Sequence, residues 1–186
     1  MTDTKNNIII AARHLFAQQG YHGTSVDSIA KKAGVSKGTL YWHFSDKFEL
    51  YRTVLILEVE KMKQIFRSNV CDVTDMAEFI YRRGRLILEA FGEDPESVLI
   101  WMDLLVQAKR GREEFKKIAR DLTSYIKKSI DESVLASFAD AKKESVFLLL
   151  RLVILGLLSC LGSVMDAQEA VVSWKVVVDL VMRGDE

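Results

Sequence analysis

Residues 24–47 read TSVDSIAKKAGVSKGTLYWHFSDK, and this stretch decides the fold. Its first half predicts a helix with Thr24 as N-cap and Asp27, three residues on, as capping-box partner. Val26, Ile29, Ala30 and Ala33 fall on one side of that helix and turn to a core. Gly34 supplies the positive φ of a tight turn. Ser36 then caps a second, very short helix through about His43, with Val35 and Leu40 inward. Ala30 stands where the two helices would cross, the glycine follows four residues later, and Leu40 six beyond that. This is the spacing of a helix-turn-helix.

The other side of the short helix carries chemistry. With Leu40 buried, Lys37, Gly38, Thr39, Tyr41, Trp42 and His43 crowd its exposed face. Exposing Tyr, Trp and His together is costly unless a partner covers them. Lys37 can reach base edges or phosphate, and Gly38 lets the backbone approach closely. Thr39 and Tyr41 offer a hydroxyl to phosphate or an apolar surface to a thymine methyl. Lys47 adds a cation at a helix N-terminus, a natural phosphate site. The spacing and this face together point to double-stranded DNA as partner.

Working outward, a first helix is expected over about residues 5–19, with Ile8, Ile9, Ala12, Leu15 and Phe16 on one face and Gly20 as its stop. On the other side, Asp46 caps a long helix over about residues 47–67, with Glu49 in the reciprocal position. Longer helical periods follow over 75–91, 94–109 (opened by Asp94-Pro95), 112–133, 139–165 and 168–182. Within 112–133, Phe115, Ile118, Leu122, Tyr125 and Ile126 point inward. The run Val176-Val177-Val178 has strand propensity, but no turn or second strand stands near it, so a helix is expected. One proline among 186 residues argues against an all-β sandwich, which needs a turn signal about every ten residues.

Charge divides the chain. Residues 1–50 hold six basic and four acidic side chains, against an overall net charge of zero, so a chain-wide polycation is excluded while a local basic face is not. All three histidines lie in this part, but His14 and His22 have no partner at metal-ligand spacing, so neither metal nor cofactor is expected. Nor does any nucleophile–base pair or phosphate loop suggest an enzyme. Cys71 and Cys160 form no disulfide framework and the first ten residues are not a secretory signal, which makes the cytoplasm the expected compartment.

The stretch over 146–165 contains a single charge, Arg151, in twenty residues. Its length would satisfy a membrane span, but Arg151 would cost about 2.5–3.5 kcal/mol at the membrane centre. Gly156 and its small neighbours allow close helix contact instead. Val171, Trp174, Val178 and Val181 form one stripe on the next helix. Two adjacent helices apolar on more than one side suit a homodimer interface rather than a membrane. In the middle region Phe66, Phe79, Trp101 and Tyr125 are candidates to line a cavity. A buried Arg151 needs an acidic partner on a neighbouring helix or on a second subunit, or an anionic ligand.

The segment GVSKGTLYWHFSDKFEL, preceded by SVDSIAKKA and by FAQQGYHGT, resembles the N-terminal DNA-binding domain of TetR-family transcriptional regulators nearly continuously over residues 5–60. The resemblance implies an all-α homodimer of about nine helices per chain. A three-helix helix-turn-helix domain (1–50) would precede a ligand-binding and dimerisation domain (51–186), with the fourth helix as connector. The last two helices would form a four-helix dimer bundle, and helices four to eight would surround a small-molecule pocket. Carried over by residue, Thr24 and Ser25 look like phosphate-contacting caps, and Ser36, Lys37, Gly38 and Thr39 like groove contacts. Tyr41, Trp42 and His43 look like mixed base and backbone contacts, and Lys47 like a phosphate clamp. The function so implied is that of a repressor released from a palindromic operator by a small, mostly apolar effector. The alternative is a helix-turn-helix regulator whose C-terminal part binds a protein or only dimerises.

Overall fold

A computed structural model describes residues 2–67, 76–131 and 140–183. The described residues form nine helices and no strand. These are α1 (Thr2–Gly23), α2 (Val26–Ala33), α3 (Lys37–His43), α4 (Lys47–Arg67), α5 (Met76–Glu93), α6 (Pro95–Lys109), α7 (Glu113–Asp131), α8 (Asp140–Cys160) and α9 (Ala167–Arg183). The all-α expectation holds, and the valine run lies inside α9 as helix. Periodicity explains it: Val176 is exposed while Val178 is buried, so the run wraps around a helix instead of alternating between two sheet faces.

The first helix differs from expectation at its end. Gly20 does not stop it; it adopts φ 66, ψ 175 and kinks the chain, which turns helically again to Gly23. The restart is fixed from α6, where the Asp103 carboxylate accepts the Tyr21 backbone N–H at 3.1 Å. A Cβ at Gly20 would sit 3.0 Å from that same carboxylate. Glycine is thus required twice, for its φ and for the close approach.

α1 packs across α6, α2 and α4. Phe16, Tyr21, Tyr51 and Phe115 meet edge-on or stacked and tie α1, α4 and α7 into one aromatic cluster. Tyr51 is fully buried and donates its hydroxyl to Asp103 Oδ2 at 2.7 Å. Burial and that bond hold the phenol well above its usual pKa, so it stays a donor.

A second tie joins the same helices by charge. The Arg13 guanidinium on α1 reaches Glu58 of α4 (2.7 Å), and Asp94 and Glu96 at the start of α6 (2.6 Å each). Lys61 also binds Asp94 (2.6 Å), and Ser97 donates to Glu58 (2.6 Å). Burial would raise the Asp94 carboxyl, but the bonds from Arg13 and Lys61 outweigh it and hold the group far below the ordinary carboxylate range.

In the rear half α5 and α9 are the main packed pair. Gly84 makes this possible, since a Cβ there would lie 2.0 Å from the Trp174 indole nitrogen. That nitrogen donates to the carbonyls of Ile80 (3.3 Å) and Tyr81 (3.2 Å). The expectation that Trp174 and Val178 face a second subunit is therefore corrected: both are buried in the protomer, Trp174 against α5, and Val171 and Val181 are half-buried. The outward stripe of α9 is Val172, Val176 and Leu180, at 60%, 53% and 70% exposure. A tryptophan whose single N–H needs an acceptor, and whose ring needs a glycine-wide groove, turns inward, and the valines and leucine out of phase with it turn outward.

Among the described residues no helix is long and apolar enough to cross a membrane. The apolar run over 146–165 is interrupted structurally: α8 ends at Cys160 and a tight turn follows, with Gly162 at φ 73.

Candidate functional site: a helix-turn-helix head and a cavity behind it

The head is built around α2 and α3. The N-cap of α2 is Ser25, not Thr24: Ser25 Oγ accepts the Ser28 backbone N–H at 3.0 Å, and Ser28 Oγ accepts the Ser25 N–H in return. Asp27 is not the capping partner. Thr24 is buried, and its hydroxyl lies within bonding distance of the carbonyls of Leu15 (3.1 Å) and Gly20 (2.8 Å). Its single proton is shared between, or goes to one of, these two carbonyls beside the Gly20 kink. Thr24 is thereby removed from the set of surface contacts.

Gly34 takes φ 69 and donates to the carbonyls at the end of α2, so the chain reverses within two residues. Ser36 caps α3 by accepting the Thr39 N–H at 3.0 Å. Ile29, Ala30 and Leu40 are buried as expected, and α2 contacts α3. The opposite face of α3 is open. Lys37 and Gly38 are exposed, Thr39 and His43 partly so, and Tyr41 and Trp42 stand 46% and 69% exposed. Two exposed aromatic rings on a helix of seven residues are an unusual surface for an isolated protomer. Lys37 bridges to Asp27 of α2 at 2.8 Å, and the bond and charge of Asp27 raise its pKa. Its ammonium is thus positioned but still on the surface.

Lys47 departs from expectation. Its ammonium turns inward, donating to the carbonyls of Tyr21 (2.7 Å) and Thr24 (2.8 Å), and lies over the Tyr21 ring. Burial, and then the neighbouring Arg112 charge, lower its pKa. The expected phosphate clamp instead fastens the α1–α2 connection to the start of α4. Partial positive charge at that helix start is met locally: Glu49 donates its N–H to Asp46 and accepts that of Ser45.

The exposed aromatic and basic face is thus carried by a short helix, capped by Ser36 and held on a fixed core. Residues 8–54, which contain it, match the family described as "Bacterial regulatory proteins, tetR family". The chain is 30% identical over 133 residues to the HTH-type transcriptional regulator YhgD of Bacillus subtilis, covering 71% of this chain and 70% of that protein. It belongs to the TetR family of transcriptional regulators. It is also 39% identical over 89 residues to the HTH-type transcriptional activator FasR of Mycolicibacterium smegmatis, a match spanning 48% of this chain and only 39% of FasR. A solved transcriptional regulator from Rhodococcus shares the fold over 97% of this chain and 96% of its own, at a TM-score of 0.81 and 23% identity.

Behind the head, this TetR-family regulator has a partly open cavity of about 340 Å³, to which α4, α5, α6, α7, α8 and α9 all contribute. Of the candidates read from sequence, Phe79, Trp101 and Arg151 line it. The side chains of Phe66 and Tyr125 lie outside the described residues. Trp174, expected at a dimer face, is part of this lining, as is Arg83. The Trp101 Nε1 and the Arg151 Nε are buried with no hydrogen-bond partner among the described residues. Sequence reasoning missed the ties behind the head: Arg13 to Glu58, Arg13 to Asp94 and Tyr21 to Asp103 span 45, 81 and 82 residues, beyond any periodic signal. A signal for Trp174 existed in Gly84, a glycine inside a strongly helical segment that needs a packing reason.

Proposed function

We propose that this TetR-family regulator is a homodimer that reads a pseudo-palindromic operator with α3 and is released from it, as a repressor, when a small, mostly apolar effector fills the cavity. Residues 1–50 are the reading head and residues 51–186 the sensing and dimerisation part. The carrying observation is the open face of α3. Lys37, Gly38, Thr39, Tyr41, Trp42 and His43, with the exposed caps Ser25 and Ser36, form one contact surface for the major groove and its flanking phosphates. Thr24 and Lys47 position that surface from behind.

Pairing of two copies is supported by the outward stripe of α9 (Val172, Val176, Leu180) beside Leu148, Leu152 and the open Gly156 of α8. A two-fold dimer sets two recognition helices about 34–36 Å apart, one turn of DNA. Coupling is supported by α6, which lines the cavity with Val98, Trp101 and Met102 and grips the head with Asp94, Glu96 and Asp103. A ligand that displaces α6 acts on α1 through those bonds, and typical coupling of this kind is about 1–3 kcal/mol.

Selection of bound fragments from random DNA tests the reading. A palindrome whose half-sites lie one helical turn apart is the expected product, and a non-symmetric or absent consensus overturns it. Val176→Glu should convert the dimer to monomer in sedimentation and abolish operator binding. A reporter fused to the selected operator should be silenced by the regulator; activation would reverse the assigned sign.

A further inference from the structure

The chemistry of the cavity narrows its occupant, given the effector reading above. No acidic side chain lines it among the described residues, yet two guanidinium groups do, Arg151 of α8 and Arg83 of α5. Arg83 lies over the Phe79 ring at 4.9 Å, which leaves it in the wall. Arg151 Nε is buried without a partner among the described residues, and so is Trp101 Nε1. Both groups can only donate hydrogen bonds. The rest of the wall is almost wholly aliphatic or aromatic, for example Ile87, Leu104, Ile154 and Leu158.

A cavity of this kind selects by complement. A half-buried guanidinium whose Nε is buried and which meets no acid among the described residues asks for an anion, and its planar fork fits a carboxylate through two parallel bonds. A cation would meet the like charge of Arg151, and a neutral hydroxyl could not compensate the guanidinium. The apolar remainder asks for a hydrocarbon body, and about 340 Å³ lies near the small end of ligand pockets, roughly 300–1,000 Å³. We propose that the cavity binds a single-headed anionic amphiphile, a medium-length apolar body ending in a carboxylate, with Arg151 as counter-charge and the Trp101 indole N–H as second donor.

Three probes with the same ten-carbon chain separate charge from burial: decanoate, decan-1-ol and decyltrimethylammonium, each below its micellar concentration. Binding is followed by calorimetry and by fluorescence of Trp101 and Trp174. Decanoate should bind at least about tenfold more tightly than decanol, and the cation should not bind. Arg151→Met should erase the preference while decanol affinity stays, which also reports a folded cavity; Arg151→Lys should keep part of it. Equal binding of decanoate and decanol to the wild-type protein overturns the inference and leaves the cavity an effector site. A preference that survives Arg151→Met overturns the role of Arg151. Failure of both decanoate and decanol to bind overturns the effector reading itself. If Arg151→Met does not fold, the wild-type preference and the Arg151→Lys variant decide.

Discussion

Thr24 and Trp101 each bury one side-chain polar atom, and the protein treats them in opposite ways. The Thr24 hydroxyl lies within bonding distance of two carbonyls and closes a kink. The Trp101 nitrogen, on a residue that lines the cavity, is buried with no partner among the described residues. The contrast extends to their surroundings. Around Thr24, caps, turns and ammonium groups are all engaged, and Lys47 adds two more bonds. In the same cavity wall, Arg151 Nε is also left without a partner among the described residues. Buried polar groups are nearly always satisfied, and each exception asks for a reason. The helix-turn-helix part is satisfied internally, while the cavity wall carries the Trp101 and Arg151 donors that the described residues leave unmatched.

Five substitutions would break or sharpen that contrast. The largest effect should come from Trp174→Ala, which empties the α5–α9 contact and removes two hydrogen bonds; a loss of about 3–5 kcal/mol is expected in denaturant titration. A loss below about 1 kcal/mol would mean that Trp174 is not part of the protomer core. Next, Arg13→Met strands Glu58, whose side chain is 4% exposed, and should cost about 3 kcal/mol, with a lowered melting temperature. The same network has a pH signature. Asp94 has a depressed pKa in the folded state, so its stabilisation is complete above the usual carboxylate value near 4 and is lost as pH falls from there toward the folded value. Asp94→Asn should flatten the acid limb of stability against pH; an unchanged limb would remove Asp94 from the account.

Smaller effects separate the two lysines. Lys37→Ala should weaken operator binding by about 1–3 kcal/mol without altering the melting temperature. Lys47→Met should do the reverse: about 1 kcal/mol of stability lost from two undonated carbonyls, and a salt slope of DNA binding that keeps its value. A slope reduced by about 0.9 would restore Lys47 as a phosphate contact.

What was legible in the sequence follows from the range of the forces involved. Local rules located α2, α3 and the 47–67 span of α4, because caps, the Gly34 turn and helical periodicity act within a few residues. They faltered at Thr24 and Ser25, two adjacent hydroxyl residues either of which can cap; burial beneath the Gly20 kink decided it. They also faltered on α9. Periodicity says that Val171, Trp174 and Val178 share a face, but not what that face meets, and the answer lay in Gly84, ninety residues upstream. In the cavity, Phe79, Trp101 and Arg151 were legible as oddities of composition. The Arg13 and Asp103 ties were not, since charges in a sequence carry no sign of which distant partner they will find.

Asp103 and Asp94 together have a practical consequence for anyone building chimaeras. They fasten α1 to α6 at two places nine residues apart, about 13 Å along the α6 axis. A seam cut near residue 50 looks natural from the sequence, but it divides a rivet line. A head grafted onto another body would arrive with Arg13 and the Tyr21 amide facing strangers. A working transplant would have to carry the matching positions of α6 along with the first fifty residues, so the smallest exchangeable unit of this protein is discontinuous in its chain.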